Sequence, residues 1–235
     1  MFFVFILGLC FGSFVNVLVY RLPRYITLLG RSFCPKCRKR IAWFDNIPLL
    51  SFVLLRCRCR YCLKKISWQY PLVELVTALI FVLGFKLLAF SNFLFFALLT
   101  PIFLAIFLID LKFQTIPDEL TFCGILIAFL FSLFFLGQNG FYSRILAGFI
   151  ASTFLLLLHL FTHCRGMGLG DVKFAVFGGM VTGLDKLLIW LSTAFLTGAA
   201  VGLILILAKK AKLKTKIAFG PFLIFALFLV LLLRL

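Results

Sequence analysis

Asn92-Phe93-Leu94-Phe95-Phe96-Ala97-Leu98-Leu99-Thr100-Pro101-Ile102-Phe103-Leu104-Ala105-Ile106-Phe107-Leu108-Ile109 is an apolar run that ends on a carboxylate, Asp110. Its length approaches the roughly 20 residues that an α-helix needs to cross the hydrocarbon of a bilayer. The rest of the chain is of the same kind: 64% of its 235 residues are hydrophobic and 33 are Phe, too few polar residues to coat a soluble globule. Comparable runs cover Phe2–Tyr20, Pro71–Phe90, Glu119–Leu136, Arg144–Thr162, Asp171–Thr182, Lys186–Ala208 and Ile217–Leu233. With Asn92–Ile109 they predict an all-α polytopic membrane protein of about eight transmembrane helices, the sixth unusually short. Phe2–Tyr20 reads as a span, because it has neither a basic flank before it nor a small-residue cleavage site after it.

Basic residues in short loops stay on the cytoplasmic side, so their distribution sets the orientation. With the N-terminus outside, the inside loops carry 20 of the 24 Lys and Arg, from Arg21 to Lys65, at Lys112, at Arg165 and Lys173, and from Lys209 to Lys216. Lys86, Arg144, Lys186 and Arg234 remain outside. The net charge of +17 then faces anionic lipid, and no nucleic-acid recognition module accompanies it, which argues against a nucleic-acid partner. The same threading puts Asp110 and Asp171 at the cytoplasmic ends of their helices, where two carboxylates could meet.

The sizeable polar segment, Arg21–Tyr70, divides the chain into a first transmembrane helix (1–20), a cytoplasmic zinc-binding domain (21–70) and a transmembrane region (71–235). It holds two C-x-x-C knuckles, Cys34-Pro35-Lys36-Cys37 and Cys59-Arg60-Tyr61-Cys62, with the approximate spacing of a zinc ribbon. Four thiolates suit tetrahedral zinc, and so small a domain needs a staple, which makes a structural metal the favoured reading over two disulfides in a reducing compartment. Cys57 is a fifth thiol that could compete as a ligand, whereas Cys10, Cys123 and Cys164 are expected to pack as small apolar residues. The stretch Trp43 to Phe52 is expected to form an apolar cap against the membrane.

Asp110 and Asp171 carry the functional expectation, because intramembrane carboxylates usually mark chemistry or transport. Two carboxylates held together share a proton, one acting as base and the other as acid, as in aspartic proteases. Gly168 and Gly170, in Gly168-Leu169-Gly170-Asp171, are expected to let the backbone bend sharply and approach a substrate strand.

These residues resemble the prepilin peptidases of type IV pilus and type II secretion systems. The resemblance is carried by Gly8 to Val17 with Tyr20-Arg21-Leu22-Pro23, by the two knuckles around Asp45-Asn46-Ile47-Pro48-Leu49-Leu50-Ser51, and by Tyr70-Pro71-Leu72-Val73-Glu74-Leu75. Asp110 with Ile116-Pro117-Asp118-Glu119-Leu120-Thr121, the block from Gly166 to Lys173, and Phe219-Gly220-Pro221-Phe222 extend it. It implies an intramembrane aspartic endopeptidase of the bacterial inner membrane, with Asp110 and Asp171 as its dyad, that removes the basic leader of prepilins and pseudopilins after a glycine on the cytoplasmic face. It also implies N-methylation of the new N-terminus with S-adenosylmethionine. The visible departure is Cys57, where the resemblance implies glycine.

Other polar residues admit plain readings. Glu74 either caps the start of the second span or has a functional role, in substrate amine binding or methyl transfer. Asp118 and Glu119 read as an N-terminal cap, Lys173 as a residue that tunes Asp171 or binds headgroups, Asn16 as a cross-helix hydrogen-bonder, and His159 and His163 as interfacial. A proton- or cation-coupled transporter, a zinc-domain scaffold of a secretion system and a presenilin-like protease are the alternatives. Recognition is expected to rest on the substrate glycine and the apolar helix after it, so a bulky residue at that glycine should stop cleavage; unchanged processing by mass spectrometry would place recognition elsewhere.

Overall fold

The computed structural model describes residues 1–162, 167–209 and 218–232. His163, Cys164, Arg165, Gly166, Lys210, Lys212, Lys214, Lys216 and Arg234, which entered the reading of the sequence, lie outside the described residues. The chain forms two compact units, Met1–Ala105 and Ile106–Leu235.

Unit 1 begins with α1 (Phe2–Arg21), continues through a short helix α2 (Leu50–Leu54) within the polar segment, and adds α3 (Gln69–Leu87) and the first part of α4 (Phe90–Phe113). Helices α1 and α3 pack closely because α1 carries glycine where they cross. A Cβ at Gly12 would lie 2.6 Å from the Glu74 Cα, and one at Gly8 equally close to the Ala78 Cα. Small residues matter here because lipid tails are as apolar as leucine, so helices associate through close backbone approach and hydrogen bonds. Asn16 supplies such a bond: its Nδ2 donates to the Tyr70 carbonyl at 3.2 Å and to the Gly12 carbonyl at 3.3 Å. The cross-helix bond expected of Asn16 is present.

Unit 2 contains the end of α4, then α5 (Asp118–Phe135), α6 (Gly137–Phe161), α7 (Leu169–Thr182), α8 (Leu184–Leu207) and α9 (Gly220–Leu232). Helix α7 packs against α5, α6, α8 and α9, and its residues Phe174 to Thr182 are largely buried. Contact with α6 again depends on small residues, since a Cβ at Gly179 would lie 2.5 Å from the Ala147 carbonyl oxygen. Arg144, near the start of α6, donates to the Met180 and Val181 carbonyls at the end of α7.

Among the described residues the fold is all-helical apart from two isolated β-bridges in the Cys-rich segment. Each expected span has a helix, but six of the eight are long and apolar enough to cross a membrane by length and composition. Helix α7 has 14 residues, roughly 20 Å at 1.5 Å per residue, shorter than a ~30 Å hydrocarbon core, and α9 has 13 among the described residues. Helix α6 starts earlier than Arg144, because Gly137 adopts φ +64° and turns the chain sharply after α5, leaving the polar Gln138-Asn139-Gly140 to open the next helix. Cys10 and Cys123 face outward instead of packing inside, which their apolar character allows on a lipid-facing surface.

Gly12→Leu is expected to force α1 and α3 apart and to cost about 1–3 kcal/mol, the usual penalty of overpacking. Thermal unfolding in detergent reads this as a lowered midpoint, and an unchanged midpoint would mean that the close approach is not needed.

Candidate functional site

Asp110 stands in the last turn of α4 and Asp171 in the first turn of α7, both within unit 2, at 5% and 8% exposure. The fold brings these carboxylates within electrostatic reach of each other. Asp171 Oδ2 accepts the Gly168 N–H at 3.2 Å, and the Asp171 N–H donates to the Gly168 carbonyl at 3.2 Å, closing the first turn of α7. An acid at this position also meets the positive end of the helix dipole. Asp110 is met by the start of α9, where a Cβ at Gly220 would lie 2.6 Å from its Oδ2, closer than a real Cβ comes to a heavy atom. That Oδ2 is buried without a hydrogen-bond partner among the described residues.

The glycines before Asp171 work differently from the expectation. Gly168 has φ −81° and ψ 150°, an extended backbone open to any residue, so no sharp bend occurs there. Gly170 lies inside α7 and faces Ile116, with a Cβ position 3.2 Å from the Ile116 Cβ, so its smallness admits the segment between α4 and α5. The sequence held a signal for Gly220 in Phe219-Gly220-Pro221-Phe222, but nothing there said that it faces Asp110.

Three expectations for neighbouring polar residues need correction. Lys173 is paired with Asp118, not with Asp171: its Nζ is 2.8 and 2.9 Å from the two Asp118 carboxylate oxygens, an exposed ion pair joining α7 to α5. Asp118 therefore makes no side-chain cap hydrogen bond, although it and Glu119 sit in the first turn of α5, where negative charge suits the dipole. His159 is buried in place of being interfacial, because its Nδ1 donates to the Met167 carbonyl at 2.6 Å and ties the end of α6 to the approach of Gly168.

In unit 1, Cys34, Cys37, Cys59 and Cys62 gather so that their Sγ atoms all lie within 4.8 Å of one another. The two knuckles repeat one geometry. Cys34 accepts the Arg38 N–H and donates to the Lys39 carbonyl, while Cys59 accepts the Leu63 N–H and donates to the Lys64 carbonyl. Arg38 and Leu63 take φ +57° and +55° to complete these turns, a conformation that the choice of Arg and Leu does not announce. Thiolates about 3.8 Å apart suit a tetrahedral ion with sulfur bonds of about 2.3 Å; Cys34 Sγ and Cys62 Sγ stand 3.9 Å apart, so the residues fit a metal.

The thiols also differ in ease of deprotonation. Backbone hydrogen bonding from Cys62, with a further one from Tyr61, outweighs desolvation and lowers Cys59 to about 7. At Cys37 the Lys39 backbone pulls down, but desolvation and hydrogen bonding with Cys34, Cys62 and Cys59 together raise it to about 11. A metal ion would displace these protons.

Cys57 stands outside the four-thiol cluster. Its backbone is left-handed, φ +61°, with its N–H on the Phe52 carbonyl and its carbonyl accepting the Ile66 N–H. That conformation is the physical reason for a glycine there. Asp45, between the knuckles, holds Arg60 of the second knuckle through two hydrogen bonds of 2.6 and 2.8 Å. Glu74 is not a helix cap: it lies in the second turn of α3, 7% exposed, where its Oε2 accepts the Leu49 N–H at 2.9 Å and the Ser13 side chain also hydrogen-bonds it.

The chain matches the model of the bacterial peptidase A24 N-terminal domain over residues 6–88 and that of the type IV leader peptidase family over residues 97–203. A prepilin leader peptidase/N-methyltransferase of Aeromonas salmonicida is 34% identical, over 95% of this chain and 87% of its own. One from Pseudomonas aeruginosa is 33% identical over 94% and 86%, and one from Vibrio cholerae 36% over 77% and 76%. No solved structure matches.

Cys59→Ser is expected to abolish stoichiometric metal in the purified protein, and Cys57→Ser to leave it intact, as read by elemental mass spectrometry. Metal loss on Cys57→Ser would bring that thiol into the cluster.

Proposed function

The chain belongs to the type IV leader peptidase family, and from that premise we propose that it is an intramembrane aspartic endopeptidase that removes the basic leader of prepilins or pseudopilins after glycine. It is a multi-pass membrane protein and also N-methylates the freed terminus, the second activity in its relatives' names. The transporter, scaffold and presenilin-like alternatives lose their ground against this match.

The observation that carries the peptidase reading is a pair of buried carboxylates, Asp110 and Asp171, brought near each other at the ends of two helices, with Ile116 a neighbour of both Gly170, beside Asp171, and Gly220, against Asp110. In the reaction, one carboxylate takes a proton from water as the water oxygen attacks the scissile carbonyl, and the protonated partner gives its proton to the carbonyl oxygen; as the C–N bond breaks, the proton taken from water passes to the leaving nitrogen and the gem-diol returns one to the partner. Asp171 is held by the Gly168 N–H and the start of α7, while Asp110 keeps one oxygen free as an acceptor. Gly168, Gly170 and Lys173 support the pair indirectly, through the turn, the fit to Ile116 and the tie to α5.

We read residues 21–70 as a domain stapled by structural zinc, since four thiols gathered within 4.8 Å, those of Cys34, Cys37, Cys59 and Cys62, would fill a tetrahedral ion and leave no position for substrate. Residue 1–20 and the region 71–235 then frame it, with the Cys-rich domain and both aspartates facing the cytoplasm of a bacterial inner membrane, the side given by the basic loops. A substrate with a single apolar helix and a cytoplasmic basic leader brings its scissile bond to that face. S-adenosylmethionine supplies the methyl group.

Asp110→Asn and Asp171→Asn are each expected to reduce cleavage of a co-reconstituted prepilin by roughly 100-fold or more, the scale of lost acid–base catalysis. Unfolding midpoints should stay near wild type. Retained cleavage in either variant would remove that residue from the chemistry.

A further inference from the structure

A cavity of about 460 Å³ lies within unit 1, between the cytoplasmic end of α1, the start of α3 and the Cys-rich segment. Its wall includes Asn16, Glu74, Tyr20 and Tyr70. Asn16 is 4% exposed, and its Oδ1 has no hydrogen-bond partner among the described residues. The amide cannot usefully be turned over, because its Nδ2 already faces two carbonyls, of Gly12 and Tyr70, and a flipped amide would set oxygen against oxygen. The amide orientation is therefore fixed, leaving beside the cavity a buried Oδ1 without a donor among the described residues. Glu74 adds a buried carboxylate with no cationic partner among the described residues; its contacts are the Leu49 N–H and the Ser13 side chain.

Of the cations that line the same cavity, Arg21 is committed to the carbonyls of Thr27 to Arg31, and Arg60 to Asp45. Lys36, Lys64 and Lys65 are exposed, at the solvent end. An acceptor and an acid inside, with lysines outside, match a ligand that carries an ammonium and a carboxylate on adjoining atoms.

Building on the N-methyltransferase reading, we propose that this cavity binds the α-amino-acid end of the methyl donor, with Glu74 and Asn16 Oδ1 receiving its ammonium and the lysines its carboxylate. The shared chemistry, a primary ammonium, also occurs on the freed N-terminus of a processed polypeptide, so the two sources need separate arms. Glu74 and Asn16 are binding residues here and take no part in cleavage.

The test uses the full-length protein in detergent, with direct binding of labelled S-adenosylmethionine and, separately, of a peptide with a free or an acetylated N-terminus. Glu74→Gln keeps an acceptor for the Leu49 N–H and is expected to fold, with an unfolding midpoint near wild type as the control. Donor binding should weaken ~10-fold or more, the scale of losing one partner of a buried charge pair. Glu74-dependent binding of the free peptide alone, absent for the acetylated one, would overturn the donor assignment in favour of the polypeptide amine. A wild-type protein that methylates while its donor binding ignores Glu74 would overturn the site alone. One that cleaves but neither binds donor nor methylates would overturn the N-methyltransferase reading, and the site with it.

Discussion

A carboxylate at membrane depth loses its water, and without local donors, a dipole or a shared proton it costs on the order of several kcal/mol. Asp171 meets this constraint at the N-terminus of its own helix, through the Gly168 N–H and the dipole of α7. Asp110 meets it less completely, with one oxygen unpaired against Gly220. The rest of unit 2 can be understood as holding these two helix ends in place: Gly170 lets Ile116 approach, His159 fixes the Met167 carbonyl, and the Lys173–Asp118 pair ties α7 to α5. An incompletely served carboxylate is a natural seat for chemistry, because a substrate or water can supply what the protein withholds.

Close helix packing provides the rigidity. Since lipid offers no hydrophobic drive for one apolar helix to leave it for another, association depends on backbone approach and a few polar contacts. Gly8 and Gly12 serve α1 and α3, and Gly179 serves α6 and α7. Substituting any of them changes distances in the helices that carry Glu74 or Asp171, so residues without chemistry of their own still govern the sites.

The Cys-rich segment is built on another principle. It has one five-residue α-helix and no extended sheet among its described residues, too little apolar contact for a domain of its size to fold unaided. Its order comes from two repeated turns that aim four thiols at one point, helped by the Asp45–Arg60 pair. A metal held by these thiols would couple its binding to folding. Cys57 shows how narrow the ligand selection is: two residues from Cys59, its left-handed backbone leaves it outside the cluster.

Much of this was legible in the sequence, because membrane class, helix positions, the intramembrane acids and the paired C-x-x-C turns all depend on composition and short-range spacing. Phe2–Arg21 and Leu184–Leu207 fall close to where hydropathy put them. One length was harder to read: α6 reaches back to Gly137, since a glycine with φ +64° and a polar triplet resemble a loop until the helix beyond them is seen, whereas the shortness of α7 was visible in the brief apolar run Asp171–Thr182. Only the tertiary structure decided the partners. Lys173 chose Asp118, Gly220 closed on Asp110, and Asn16 was left with an unpaired oxygen inside a cavity. The sequence by itself determined which groups must avoid lipid, because desolvation acts residue by residue; which groups meet depends on helix rotation and depth across distant segments, and that is settled by packing alone.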